Sequence, residues 1–253
     1  MKITFLGTGT SQGVPIIACK CYVCSSKNAK DKRLRTSILI EHLEKTIVVD
    51  TGPDFRQQML RAHVQQLDAV LYTHEHKDHI AGMDDIRAFN YILQKKIPLY
   101  GGQYVHEAIK REFAYIFADY KYPGIPEIDL ILVENKPFQI EQLDFIPIEV
   151  KHLKLPVYGY RINNFTYITD ANYIAPEEKE KMKGSDVLVI NALRKEEHVS
   201  HFNLAQALEI IDELKPKMAY LTHLSHQMGR HDEVEKELPE GVKLAYDGLV
   251  LDI

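Results

Sequence analysis

The stretch Thr73-His-Glu-His-Lys-Asp-His79 places three imidazoles and the carboxylate of Asp78 within six residues, 74–79. Residues 67–72, just before it, form an apolar run of strand length, so the motif projects from a loop carried on a rigid scaffold. Packing does not account for such a concentration of polar rings. Imidazole nitrogens and carboxylate oxygens suit zinc, manganese or iron. In extended backbone, residues two apart share a face, so His74 and His76 can bind one ion together. The turn that follows can aim Asp78 and His79 at a second ion.

Working outward, polar residues recur where apolar runs end. His152 follows the run 146–150, Asp170 closes Phe165-Thr-Tyr-Ile-Thr-Asp170, and His223 closes Ala219-Tyr-Leu-Thr-His223. A lone histidine at any of these places is weak evidence. Together they outline one shared edge of a sheet assembly. Asp50 also ends a strand-like run, Thr46-Ile-Val-Val-Asp50, and reads as a residue that orients a ligand or turn rather than one that binds an ion. All three cysteines lie in Cys19-Lys-Cys-Tyr-Val-Cys24. An odd number is not a self-contained disulfide framework, and a closed structural zinc site needs a fourth ligand.

The 253 residues amount to about 1.7 typical domains, enough to bury a core without staples. Hydrophobic residues at 45% and charged residues at 26% are ordinary for a globular chain and exclude disorder, collagen and coiled coil as the main state. A net charge of −5 suits a long polyanion poorly, so large nucleic acids are not expected as partners, although a small anion can still sit in a locally positive pocket. No run of about 18 apolar residues is present, and the first ten residues do not read as a secretion signal. A cytoplasmic, reducing setting and no membrane partner are therefore expected.

Strands are expected at 2–6, 36–41, 46–50, 67–72, 130–134, 144–151, 157–162, 165–169, 186–190 and 218–222, with two more within 242–253. Helices are expected from Pro53 to about His63 and at 84–93, 104–117, 176–182 and 204–214. Pro147 inside a strand suggests an edge or a bulge. Without a linker or repeat, this texture reads as one domain, 1–253, of α/β (α+β) class, with two sheets packed together and helices outside.

These features resemble the metallo-β-lactamase fold superfamily, through His74-x-His76-x-Asp78-His79 and the ordered set Asp50, His152, Asp170 and His223. Within it, the chain looks similar to the PhnP-type cyclic-phosphate phosphodiesterases. That likeness is carried by Phe5-Leu-Gly-Thr-Gly-Thr-Ser-Gln-Gly-Val-Pro15, Cys19-x-Cys21-x-x-Cys24, Asp84-Asp-Ile-Arg87 and Thr222-His-Leu-Ser-His226. The resemblance implies a four-layer αββα sandwich and two divalent cations, Mn2+ or Zn2+. One would be held by His74, His76 and His152, the other by Asp78, His79 and His223, with Asp170 bridging. It implies a structural Zn2+ on Cys19, Cys21, Cys24 and His226, and a catalytic, non-ligand His201 that could protonate a leaving alkoxide. Asp78 counts as catalytic as well as a ligand. Two dications, two carboxylates and a bridging hydroxide leave about one positive charge, which suits a monoanionic phosphodiester.

The expected activity is hydrolysis of a small cyclic phosphate, 5-phosphoribosyl 1,2-cyclic phosphate or a 2′,3′-cyclic nucleotide, by that hydroxide. The alternatives are tRNA 3′-end processing of the ribonuclease Z kind, a thioester or lactone hydrolase on the same fold, and a non-catalytic zinc module. The charge and the lack of a basic glycine- and proline-rich arm count against the tRNA alternative, and the complete ligand set counts against a dead scaffold. A homodimer follows from the resemblance alone. Gly7-x-Gly9-x-x-x-Gly13 is out of register for a dinucleotide fingerprint. The basic run 27–35 reads as a solvated face, His198 as solvated, and His42, His63, His106 and His231 as surface residues.

Overall fold

The computed structural model describes residues 1–120 and 122–253. Two sheets pack face to face. The first runs Val250–Asp252, Lys2–Gly7, Ser37–His42, Lys45–Val49, Ala69–Leu71, Ile97–Gly101, Ile128–Leu132 in spatial order. The second runs Tyr173–Ile174, Leu143–His152, Leu155–Ile162, Phe165–Tyr167, Val187–Asn191, Met218–Thr222, Val242–Leu244, with Phe138–Ile140 paired beside Leu143–His152.

The strands alternate side chains between two buried faces, which is why they read as continuous apolar runs. Ile3, Ile38, Ile40, Ile47 and Val49 meet Phe145, Tyr160, Val189 and Tyr220 between the sheets. Leu39, Val48 and Val70 face outward, against Phe55, Met59, Phe89 and Ile109 of the helices Phe55–Arg61, Arg87–Leu93 and Gln103–Glu112. On the other side Leu188, Ile190 and Leu221 meet Met182, Ala207 and Ile211 of Pro176–Met182 and Leu204–Leu214. Three apolar layers thus separate four structural ones, an αββα sandwich of the metallo-β-lactamase type. No helix among the described residues is long and apolar enough to cross a membrane.

Most expected elements are present. The expected helix at 84–93 is a 3-10 turn, Met83–Ile86, followed by Arg87–Leu93, and Arg87 pairs with Asp84 at 3.0 Å. Strands Ile97–Gly101, Phe138–Ile140 and Tyr173–Ile174 were not expected. Pro147 lies in the gap between the two short strands that flank Leu143–His152. There its carbonyl accepts from Lys181 Nζ (3.2 Å), and the Glu149 N–H donates to Glu178 Oε2 (2.8 Å), so side chains of Pro176–Met182 replace the missing ladder.

Three expectations about charged residues are corrected. His106 and His231 are buried, not surface residues, and Arg33 in the basic run is only 6% exposed. The Arg33 guanidinium donates to Thr8 Oγ1 (2.8 Å) and to His231 Nδ1 (3.2 Å), while the His231 N–H donates to Asp31 Oδ1 (2.7 Å). Long-range packing of residues 31–33 against the C-terminal region draws these groups inside, which local polarity does not reveal.

Burial, and after it the Arg33 cation, hold the His231 imidazole down at about 4. The unfolded chain's imidazole takes its proton near ~6.5, so the unfolded state binds the extra proton between these values. Stability contributed by His231 is therefore present above that window and lost as pH falls through it. The variant His231→Gln is expected to lose less unfolding free energy than wild type between pH 7 and 4, measured by urea titration. Equal losses would contradict this reading.

Candidate metal centre

The chemistry gathers at one end of the sandwich because the strands that carry it all run that way. Lys45–Val49, Ala69–Leu71 and Ile97–Gly101 are parallel, as are Phe165–Tyr167, Val187–Asn191 and Met218–Thr222. Leu143–His152 is antiparallel to Leu155–Ile162, which is antiparallel to Phe165–Tyr167, so its carboxyl end points the same way. Asp50, the motif from His74, His152, Asp170 and His223 therefore emerge along a single edge, where parallel strands commonly place their ligands. Asp50, Asp170 and His223 have φ of 65°, 54° and 56°, a left-handed backbone that costs about 1–3 kcal/mol for such residues.

Asp50 is fully buried and holds the motif from behind. Its Oδ1 accepts from the Thr73 N–H (2.9 Å), and its Oδ2 accepts from Thr73 Oγ1 (2.8 Å) and pairs with His79 Nδ1 (2.8 Å). That arrangement turns His79 Nε2 toward Asp78 Oδ2 (3.2 Å) and Asp170 Oδ2 (3.3 Å). The one-turn helix Lys77–Ile80 lies so close to Gly52 that a Cβ there would stand 2.1 Å from the Asp78 carbonyl oxygen.

Asp170 is the shared element. Asp78, His79, Asp170 and His223 offer one ligand atom each, all within 4.8 Å of one another, and so do His152, Asp170 and His201. Its Oδ2 lies 3.1 Å from His223 Nδ1 and its Oδ1 lies 3.1 Å from His201 Nε2. His152 Nδ1 meets the Ser200 carbonyl (2.7 Å), which leaves its Nε2 for the centre. His74 and His76 enter neither cluster. Their rings stand 4.6 Å apart, with His76 5.1 Å from the His152 ring. The sequence treated His198 as solvated, but it is half-buried and its Nδ1 lies 3.2 Å from His201 Nδ1.

The electrostatics suit cations. Burial alone would raise both carboxyls, yet imidazoles outweigh it. His79 holds Asp78 well below the usual carboxylate range, and His223 followed by His79 does the same for Asp170. Burial pushes His74 down and His223 to about 4, keeping both neutral and able to donate a lone pair. His74 Nε2, His79 Nε2 and His223 Nε2 are buried without hydrogen-bond partners. Buried polar atoms are rarely left so, and divalent ions would satisfy this donor set.

At the other site, Cys19, Cys21 and Cys24 converge on His226 Nδ1, with Sγ distances of 3.5, 3.3 and 3.5 Å. Four closed donors of this kind fit a structural zinc. Leu224, between His223 and His226, bonds the glycine loop, donating to the Thr8 carbonyl (2.9 Å) and accepting from Thr10 N–H (3.1 Å).

This fold and donor set are similar to those of metal-dependent hydrolases. The profile of the beta-lactamase superfamily domain matches residues 45–224, and the chain belongs to that superfamily, in its metallo-β-lactamase-fold branch close to the PhnP family. A solved structure described as a new diphosphatase from the PhnP family superposes with a TM-score of 0.93 at 38% identity, over 100% of this chain and 97% of that one. Zn(2+)-bound PqqB from Methylobacterium extorquens superposes with a TM-score of 0.81 at 18% identity, over 100% of both chains, a likeness of fold. Among curated proteins, the octanoyltransferase of Porphyromonas gingivalis is 41% identical over 252 residues, which is 98% of this chain and 51% of that protein. The chain thus spans about half the length of that relative.

Removing the support of His79 should weaken the centre. Asp50→Ala is expected to lower metal affinity by about 10–100-fold, read by competition with a chromophoric chelator. Unchanged affinity would contradict the role given to Asp50. Cys21→Ser should cost one bound zinc per chain and lower the melting temperature; a full zinc complement would contradict the thiolate site.

Proposed function

We propose that the chain hydrolyses a small phosphodiester, a cyclic ribose phosphate or a 2′,3′-cyclic nucleotide, at the centre built around Asp170. The observation that carries this reading is that Asp170 faces Asp78, His79 and His223 on one side and His152 and His201 on the other, with His201 Nε2 3.1 Å from its Oδ1. Two divalent cations, when bound, would lower the pKa of water from about 15.7 toward about 7 and polarise phosphoryl oxygens. Asp78, His79 and His223 would hold one ion and His74, His76 and His152 the other, with Asp170 between them. Mn2+ and Zn2+ both suit these donors.

The chain's own residues supply orientation and a proton. Asp50 fixes the His79 ring and the Ser200 carbonyl fixes the His152 ring. Ser200 Oγ lies 3.0 Å from His201 Nδ1. Donation from that hydroxyl puts the imidazole proton on Nε2, the atom facing Asp170. From there it can pass to a leaving alkoxide. A cavity of about 380 Å³ opens beside His74, lined by Glu75, Tyr104, Glu134 and Tyr158, a size that matches a small molecule rather than a polynucleotide. The net charge of −5 also counts against a tRNA substrate, and the three unpaired thiols fit a reducing cytoplasm.

A second reading, hydrolysis of a diphosphate bond, is favoured by the diphosphatase described for the 38%-identical structure. Both reactions attack phosphorus and differ in the leaving group. The octanoyl transfer named for the Porphyromonas gingivalis relative belongs to a protein about twice as long.

Turnover of a cyclic ribose phosphate, 2′,3′-cyclic AMP, a nucleoside diphosphate ester, precursor tRNA and an octanoyl thioester, with defined metals, separates these readings. Cyclic phosphates are expected to be the best substrates. Asp78→Ala and His201→Ala are expected to lower kcat by at least about 100-fold while the fold persists. Preference for the diphosphate promotes the second reading; cleavage of the thioester alone overturns both.

A further inference from the structure

Asp170 and His201 are tied together through one buried peptide. The residue after Asp170 is Ala171, which is fully buried. Its N–H donates to Asn191 Oδ1 (2.8 Å), and its carbonyl accepts from Asn191 Nδ2 (2.9 Å) and from the Phe202 N–H (2.7 Å). Phe202 directly follows His201. One side-chain amide thus imitates a pair of ladder bonds, and the carbonyl it grips is the one that also anchors the His201 segment.

The residue supplying this amide is itself well fixed. Asn191 ends the strand Val187–Asn191 and is 0% exposed. The segment that follows it is stapled on both sides: the Ala192 N–H donates to the Thr222 carbonyl (3.0 Å), and the Leu193 N–H to the Phe202 carbonyl (2.9 Å). Thr222 precedes His223. The end of one strand therefore reaches three candidate site residues without being one of them.

We propose that Asn191 is a positioning residue. It holds the left-handed backbone at Asp170 and the 3.1 Å spacing between Asp170 Oδ1 and His201 Nε2, so that both side chains face the centre. A residue at positive φ returns to an ordinary conformation unless its neighbours over-determine it. An orphaned N–H at Ala171 would add a desolvation cost that favours such a rearrangement. This inference rests on the reading of Asp170 as the carboxylate shared by two ions.

The test compares wild type with Asn191→Leu, which removes both bonds at similar volume, and Asn191→Asp, which keeps the acceptor for Ala171 N–H but loses the donor. The control is Asn90→Leu. Asn90 is another buried amide stapling backbone, to the Lys95 carbonyl (2.9 Å), the Glu127 carbonyl (2.8 Å) and the Glu127 N–H (2.9 Å), away from the centre. Zinc per chain is measured after dialysis against a weak chelator, together with melting temperature, kcat and KM on bis(p-nitrophenyl) phosphate.

Asn191→Leu is expected to lose at least one ion equivalent and to lower kcat by about 100-fold or more, with KM within about threefold. Asn191→Asp should fall between it and wild type, and it serves as the readable variant if Asn191→Leu does not fold. Asn90→Leu should lose melting temperature yet keep its zinc and kcat. Wild-type zinc and kcat in both Asn191 variants, or equal losses in Asn90→Leu, would overturn the proposal. Wild-type protein that binds zinc at the thiolate cluster alone would instead overturn the functional reading beneath it, a result visible before any variant is made.

Discussion

Asp170 is a carboxylate almost wholly removed from water and ringed by imidazoles, and the rest of the centre follows from that placement. Burying a charge costs several kcal/mol unless partners return it. For Asp170 the neighbouring His223 and His79 oppose that cost. Three buried imidazole nitrogens left without hydrogen-bond partners are a second cost. Divalent cations would remove both costs together, because each ion needs the lone pairs that stand free and supplies the charge that the carboxylates lack. The left-handed turns at Asp50, Asp170 and His223 are strain the fold carries in order to keep that arrangement.

Support for the centre comes from outside it. Asp50 and Thr73 fix the motif loop, the Ser200 carbonyl fixes His152, and the amide of Asn191 fixes the peptide joining Asp170 to His201. The thiolate cluster is linked to the same edge through Leu224, whose neighbours His223 and His226 serve different sites. A zinc held by the cysteines would therefore stiffen the loop that delivers His223. Fold stability and site geometry share one set of backbone bonds here.

Much of this was legible because its signals are local. The largely apolar run 67–72 ahead of His74 announces a strand, and spacing by two in an extended segment announces a shared face. The helix Leu204–Leu214 is bounded as expected, since Asn203 and Gln206 form a reciprocal cap. The convergence of His152, Asp170 and His223 was legible only as a repeated pattern of strand ends. What escaped is non-local. Strand Ile97–Gly101 is masked by Lys95, Lys96 and Pro98, and it exists because both its neighbours supply parallel partners. Arg33, His106 and His231 look solvated by their neighbours in sequence and are buried by distant ones. His198 and Asn191 carry no motif at all, and their contacts to His201 and Ala171 emerge only in three dimensions.

The most direct test of the dinuclear centre is anomalous X-ray scattering from crystals of protein reconstituted with Zn2+ and measured at the zinc edge. The account predicts three peaks per chain: one among Cys19, Cys21, Cys24 and His226, and two about 3.5–4 Å apart flanking Asp170. A single peak, confined to the cysteines, would contradict it.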